Sequence, residues 1–199
     1  MNESIIRHYD MLIDMNNDPV HDPAPLRDYM DKWDGLPFLD RLQLDKKKTV
    51  LEIGVGTGRL ATRVAPFCAQ FCGIDLSPKT VQRATENLAQ FQNVTLICDD
   101  FLTYSFDHQF DVIYSSLTFM HIQDKTCAIT KVADLLNPGG RFVLSIDKNP
   151  ADCIDLGNHK LTVFPDRPEE IVRCLSLAGL RISDRTETEF AHIFTALKA

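Results

Sequence analysis

Three glycines at alternate positions, Gly54, Gly56 and Gly58, follow directly on the apolar run Thr49-Val-Leu-Glu-Ile53. Glycine tolerates positive φ and carries no Cβ, so a ligand can lie against bare main chain where a strand turns into a helix. A dinucleotide fingerprint would place its third glycine one position later, where Arg59 stands. Glu52 adds a carboxylate at the end of the same strand, which repels a pyrophosphate but not the ammonium of a zwitterionic amino acid. A second acid, Asp75, ends the next apolar run, and a carboxylate there can accept from both hydroxyls of a ribose. Asp99 and Asp100 end a third, where an acid can accept from an adenine amino group; Asp100 is preferred. The loop Tyr114-Ser-Ser-Leu-Thr-Phe-Met-His121 ends a fourth and brings an imidazole beside these groups.

These residues need elements that converge on one edge. Short apolar runs over 49–53, 70–75, 94–98, 110–115 and 141–146 alternate with helical patterns, the signature of a parallel sheet covered on both faces. Ser77-Pro78 opens one helix, and Asp124 caps another that ends at Asn137-Pro-Gly-Gly140. Pro168 opens a third, which Gly179 closes. The glycine turn is expected to enter a helix directly. Segments 180–188 and 190–197 are joined too tightly for a crossover, so they must be antiparallel. Lys160-Leu-Thr-Val-Phe164 is predicted to form a small extra strand. The fold class expected is α/β: a Rossmann-like, seven-stranded, mostly parallel sheet with an antiparallel last strand, helices on both faces, and an N-terminal helical segment. Residues 1–45 form that segment, broken at Asp18-Pro19 and Asp22-Pro23, and 46–199 form the core. Trp33, Phe38, Leu39 and Leu42 are expected to pack the segment onto the core.

Glu52-Ile-Gly-Val-Gly-Thr-Gly58, Gly73-Ile-Asp-Leu76, Asp99-Asp-Phe101, Phe110-Asp-Val-Ile113 and Leu136-Asn-Pro-Gly-Gly-Arg-Phe142 resemble the ordered motifs of class I, Rossmann-like S-adenosylmethionine-dependent methyltransferases. The terminal hairpin resembles that family's last two strands. The resemblance implies S-adenosylmethionine as cofactor and S-adenosylhomocysteine as product. It implies Gly54, Gly56 and Gly58 around the methionine part, supported by Glu52. It further implies Asp75 and Leu76 at the ribose, Asp100 and Phe101 at the adenine, and Ser116 and Leu117 beside the sulfonium. Tyr9, on a helix resembling the family's lid, would reach the methionine end. The activity implied is transfer of a methyl group by in-line displacement.

Such a reaction needs a general base only for a hydroxyl or a protonated amine, and His121 is the best-placed candidate. His8, Tyr9, His21 and His159 lie in segments expected to wall the substrate pocket, residues 1–45 and 151–166. The formal net charge of −7 disfavours nucleic acid, which leaves a small-molecule acceptor. No apolar run is long enough to span a membrane, and the first residues lack the layout of a secretory signal, so a cytoplasmic protein is expected. Six cysteines without a C-x-x-C pair read as reduced structural thiols, and no spacing suggests a metal. Two rival readings are a cofactor-binding module without catalysis and a nicotinamide-dependent oxidoreductase. Arg59 and the terminal hairpin argue against the oxidoreductase.

Overall fold

The computed structural model describes residues 2–155 and 160–199. The first four strands and their crossovers follow the apolar runs: β1 (Thr49–Ile53), β2 (Gln70–Asp75), β3 (Val94–Cys98) and β4 (Phe110–Ser116). β5 (Leu136–Asp147), β8 (Leu180–Glu187) and β9 (Ala191–Lys198) complete a seven-stranded sheet in the order β3-β2-β1-β4-β5-β9-β8. Only β9 runs against its neighbours, pairing antiparallel with both β5 and β8. The chain order reverses between β1 and β4, so the crevice at the carboxyl ends of these strands is the natural ligand position.

The strands are apolar on both sides because both faces are covered. Successive β1 residues enter opposite clusters. Leu51 and Ile53 pack with Ala128, Ile129 and Val132 of α6 (Lys125–Leu135) and Ile171 and Leu175 of α7 (Pro168–Leu177). Val50 packs with Phe38 and Leu42 of α3 (Leu36–Leu42) and Ala84 and Leu88 of α5 (Pro78–Leu88). Phe38 and Leu42 thus seal one face, as expected. Trp33 of α2 (Ala24–Asp34) instead stacks with Tyr29 and Phe190.

Caps fall where the sequence places them. Ser77 Oγ accepts from Thr80 N, and Asp124 Oδ1 accepts from Cys127 N. Two expectations need correction. The glycine turn does not enter a full helix: residues 54–60 form turns, and α4 (Ala61–Val64) is one turn long. A helix that short has little dipole to offer an anion. The segment Asn137-Pro-Gly-Gly140 is no separate loop either. Strand β5 begins at Leu136, paired with Phe110, and absorbs the segment through a register shift, with Gly139 at φ +76°.

The extra strand exists as β7 (Lys160–Thr162), paired antiparallel with β6 (Cys153–Asp155) in a ribbon apart from the main sheet. His159 lies outside the described residues. All six cysteines are free thiols.

Candidate active site

A cavity of about 500 Å³ opens at the carboxyl ends of β1, β2 and β4. It collects most residues that the motifs pointed to. Glu52, Gly54 and Gly56 come from β1 and its turn, and Asp75 and Leu76 from β2. Asp100 and Phe101 follow β3, Ser116, Leu117 and His121 follow β4, and Tyr9 comes from α1 (Asn2–Asp14).

The three glycines prove to do three different jobs. Gly56, at φ +57°, is the open one: a Cβ there meets nothing within 4 Å. Gly54, at φ +78°, is bare so that Thr118 of the β4 loop can close over it, since an added Cβ would stand 2.7 Å from Thr118 Cβ. Gly58 does not line the cavity, contrary to expectation. Its φ is +95°, and a Cβ would press to 3.1 Å from Leu88 Cδ1 on α5, so it is a packing glycine.

Asp75 sits at the hinge of the site. Its Oδ2 accepts from Gly56 N at 3.0 Å and its Oδ1 from Ser77 N at 3.0 Å. The residue therefore braces the glycine turn and the entry to α5, a helix-entry role that Ser77 alone does not fill. Each oxygen keeps a lone pair for a further donor. Burial raises its carboxyl above the usual value, and the backbone donors oppose that rise. Asp100 Oδ1 accepts from Leu102 N, and its Oδ2 takes Asn2 Nδ2 at 2.8 Å from the start of α1. Asp99 also lines the cavity.

Glu52 does not present the exposed charge read from its position. It is 3% exposed, stands opposite Tyr114 in the β1–β4 register, and accepts from the Tyr114 hydroxyl at 2.8 Å. Burial raises its carboxyl well above the usual range, against the pull of Tyr114 and the nearby Arg59. A raised carboxyl leaves folding unpenalised below its unfolded value, near pH 4.5; the penalty then grows as pH rises towards the folded value. Glu52→Gln keeps an acceptor for Tyr114 and removes that penalty. The variant is expected to melt higher than the parent at pH 8, with a smaller gain at pH 5, in a calorimetric scan of the unliganded protein.

Asp34, which no sequence signal marked, holds the floor of the cavity. Fully buried at the end of α2, it accepts from Arg59 Nη1 at 2.8 Å and Nη2 at 2.5 Å, and from Ser116 Oγ at 2.5 Å. Arg59 was readable only as a missing glycine. The structure makes it a largely covered cation clamped between the glycine turn and the N-terminal segment.

His121 ends a 3-10 turn, Phe119–His121, and its Nε2 lies 2.7 Å from the Tyr9 hydroxyl. Burial lowers its pKa to about 4, helped by His8 and Lys125. Tyr9 moves the other way: burial and the Asp75 carboxylate raise it, so it stays a phenol. The Tyr9 hydroxyl is therefore directed at His121. Residues of α1 wall the cavity, as expected of the N-terminal segment. Segment 151–166 supplies no described residue to the wall. It backs the His121 turn instead, through Phe164 N on Met120 O at 2.7 Å. Lys125, 3% exposed, further ties Phe119 O and Phe164 O together beside its ion partner Asp166. His21 reaches Asn87 at the surface. Among the described residues, no three His, Cys, Asp or Glu side chains gather as a metal site, and no helix is long and apolar enough to cross a membrane.

Known proteins share this fold. A family model described as a methyltransferase domain matches residues 50–140, from β1 to the start of β5. A ubiquinone biosynthesis O-methyltransferase of Coxiella burnetii is 28% identical, over 84% of this chain and 75% of its own. Among solved structures, the N-methyltransferase NodS of Bradyrhizobium japonicum, in complex with S-adenosylhomocysteine, aligns with a TM-score of 0.71 at 17% identity over 98% of both chains. The [4+2]-cyclase SpnF aligns with a TM-score of 0.78 at 18% identity, over 100% of this chain and 97% of its own. Residues 50–140 are thus a methyltransferase domain, and the chain as a whole has the fold of the class I, Rossmann-like S-adenosylmethionine-dependent methyltransferases.

Proposed function

We propose that the protein is a cytoplasmic enzyme that transfers a methyl group from S-adenosylmethionine to a small-molecule nucleophile. The observation that carries this reading is the convergence, in one cavity, of open main chain at Gly56 with the carboxylates of Asp75 and Asp100. An amino acid–nucleoside conjugate needs those three things together. Asp75 would receive the ribose hydroxyls on its free lone pairs, Asp100 and Phe101 would take the adenine, and Gly54, Gly56, Ser116 and Leu117 would border the methionine part.

When bound, the cofactor supplies an electrophilic methyl on a sulfonium, which already holds the driving force. The chain's own task is to hold an acceptor in line and shed water; alignment of this kind is worth roughly 7–11 kcal/mol of barrier. The fold by itself does not decide the chemistry, since a cyclase shares it. His121 is the candidate base. The O-methyltransferase named above acts, by its title, in ubiquinone biosynthesis, which accords with a small-molecule acceptor.

A thermal-shift comparison tests the cofactor. A ligand at a hundred times its Kd stabilises the fold by about 2.7 kcal/mol. S-adenosylhomocysteine should raise the melting temperature by several degrees and NADH should leave it unchanged. A rise with NADH alone would make the protein a nicotinamide enzyme.

A further inference from the structure

From the cavity's charge and its Tyr9–His121 pair, we infer that the acceptor is a neutral hydroxyl compound with an apolar body, and that its proton leaves through Tyr9 to His121. The inference rests on the methyltransferase reading and names the substrate class of that same site.

Charge comes first. Among the described residues the cavity wall carries the acids Glu52, Asp75, Asp99, Asp100 and Asp124 against one cation, Arg59, whose guanidinium is already held in two bonds by Asp34. Lys125 and Lys79 close by are engaged with Asp166 and Asp14. Among the described residues no wall cation is left to pair with a carboxylate or phosphate on the acceptor, and Asp124, which is not among the groups given to the cofactor, adds repulsion. The wall also has an apolar part, Leu12, Ile13, Met30, Met120 and Ile122, beside polar residues such as Asn17 and Gln123. An acceptor with a hydrocarbon or aromatic body fits that lining.

The proton path follows from which atoms are free. Among the described residues, His121 Nδ1 is buried without a hydrogen-bond partner, and Nε2 is taken by Tyr9, so neither ring nitrogen meets the acceptor directly. The Tyr9 hydroxyl stands between them. With the imidazole proton on Nδ1, it donates to Nε2, and its own lone pairs remain for an incoming hydroxyl. In the transfer, a lone pair of the acceptor oxygen forms the bond to the methyl carbon as the carbon–sulfur bond breaks, its electron pair staying on sulfur. The hydroxyl proton passes to Tyr9 Oη, and the Tyr9 proton passes to His121 Nε2, which later releases it to solvent.

The pair also discriminates among nucleophiles. The titratable groups about the pair are His8 on α1, Lys125 on α6 with Asp166 behind it, Asp75 on β2 and Asp124 beside the turn. Burial, with His8 and Lys125, keeps His121 a weak base. A weak base cannot strip an ammonium before attack. It can take a hydroxyl proton that becomes strongly acidic only as the new bond forms.

The test uses three probes with the same hexylphenyl body, 4-hexylphenol, 4-hexylbenzoate and 4-hexylbenzylammonium, titrated calorimetrically into protein saturated with S-adenosylhomocysteine. The phenol should bind at least tenfold more tightly than either ion. With S-adenosylmethionine, a panel of alkylphenols and alkylcatechols should be methylated. Tyr9→Phe keeps the ring and loses only the hydroxyl; measured at saturating S-adenosylmethionine, it should lower kcat at least 100-fold, with the solvent isotope effect reduced. Nitrogen NMR of His121 should show Nε2 unprotonated in the parent protein. Preference for either ion, full kcat in Tyr9→Phe, an Nε2–H tautomer, or no probe bound by protein that does bind S-adenosylhomocysteine would each overturn the inference. Protein that fails to bind S-adenosylhomocysteine overturns the methyltransferase reading beneath it.

Discussion

Gly54→Ala is expected to cost about 2–5 kcal/mol of stability and to weaken S-adenosylhomocysteine binding by about two orders of magnitude. Two effects add. An L residue at φ +78° costs roughly 1–2 kcal/mol, and the new methyl drives into Thr118, an overpacking worth roughly 1–3 kcal/mol. Thr118 lines the cavity and donates to Ser116 O at 3.0 Å, so its displacement is felt where the ligand lies. Gly139→Ala separates the two effects. Gly139 has nearly the same φ, +76°, but a Cβ there meets nothing within 4 Å, so only the backbone strain should appear, with binding unchanged. Urea unfolding and calorimetry on the two variants read the difference. Equal losses in both would mean that Thr118 does not crowd Gly54.

Asp34→Ala is expected to be more damaging, by about 3–5 kcal/mol, because it strands a buried guanidinium rather than trimming a favourable contact. Asp34 is fully buried and Arg59 keeps 17% of its side-chain surface, so water cannot replace the lost carboxylate cheaply. Ser116 loses its acceptor in the same change. The same helix supplies a control. Asp31 pairs with Arg63 at 2.7 Å with both partners about a third exposed, and Asp31→Ala should cost no more than about 1 kcal/mol. Denaturant midpoints at constant slope check the pair. If Asp34→Ala cost as little as Asp31→Ala, the clamp would be a surface contact and the N-terminal segment only loosely joined to the core.

The contrast between these acids shows what the sequence could and could not say. Strand positions were legible because a sheet buried on both faces must be apolar throughout, and the helix starts because Ser77 and Asp124 are cap residues followed by helical patterns. The terminal hairpin was legible from the brevity of its turn. The site was legible where a motif forces geometry: Gly56, Asp75 and Asp100 sit at strand ends that topology brings together. Two kinds of information were hidden. One is which neighbour fills the space a glycine leaves, so Gly58 looked like a ligand position when the Leu88 side chain occupies that space, and nothing announced that Thr118 closes over Gly54. The other is long-range pairing. Asp34 is one acid among several in an acidic helix, and nothing local tells that it meets Arg59 and Ser116 in the core. The length of α4 was misjudged for a similar reason: Leu60 to Val64 favour helix locally, and Pro66 ends it within a turn.

The most direct test of the account is a crystal structure of the protein with S-adenosylhomocysteine. The account predicts ribose hydroxyls on Asp75, the adenine beside Asp100 and Phe101, and the sulfur facing Ser116 and Leu117. Electron density for the ligand elsewhere on the molecule, or with Asp75 and Asp100 out of reach of it, would contradict the account.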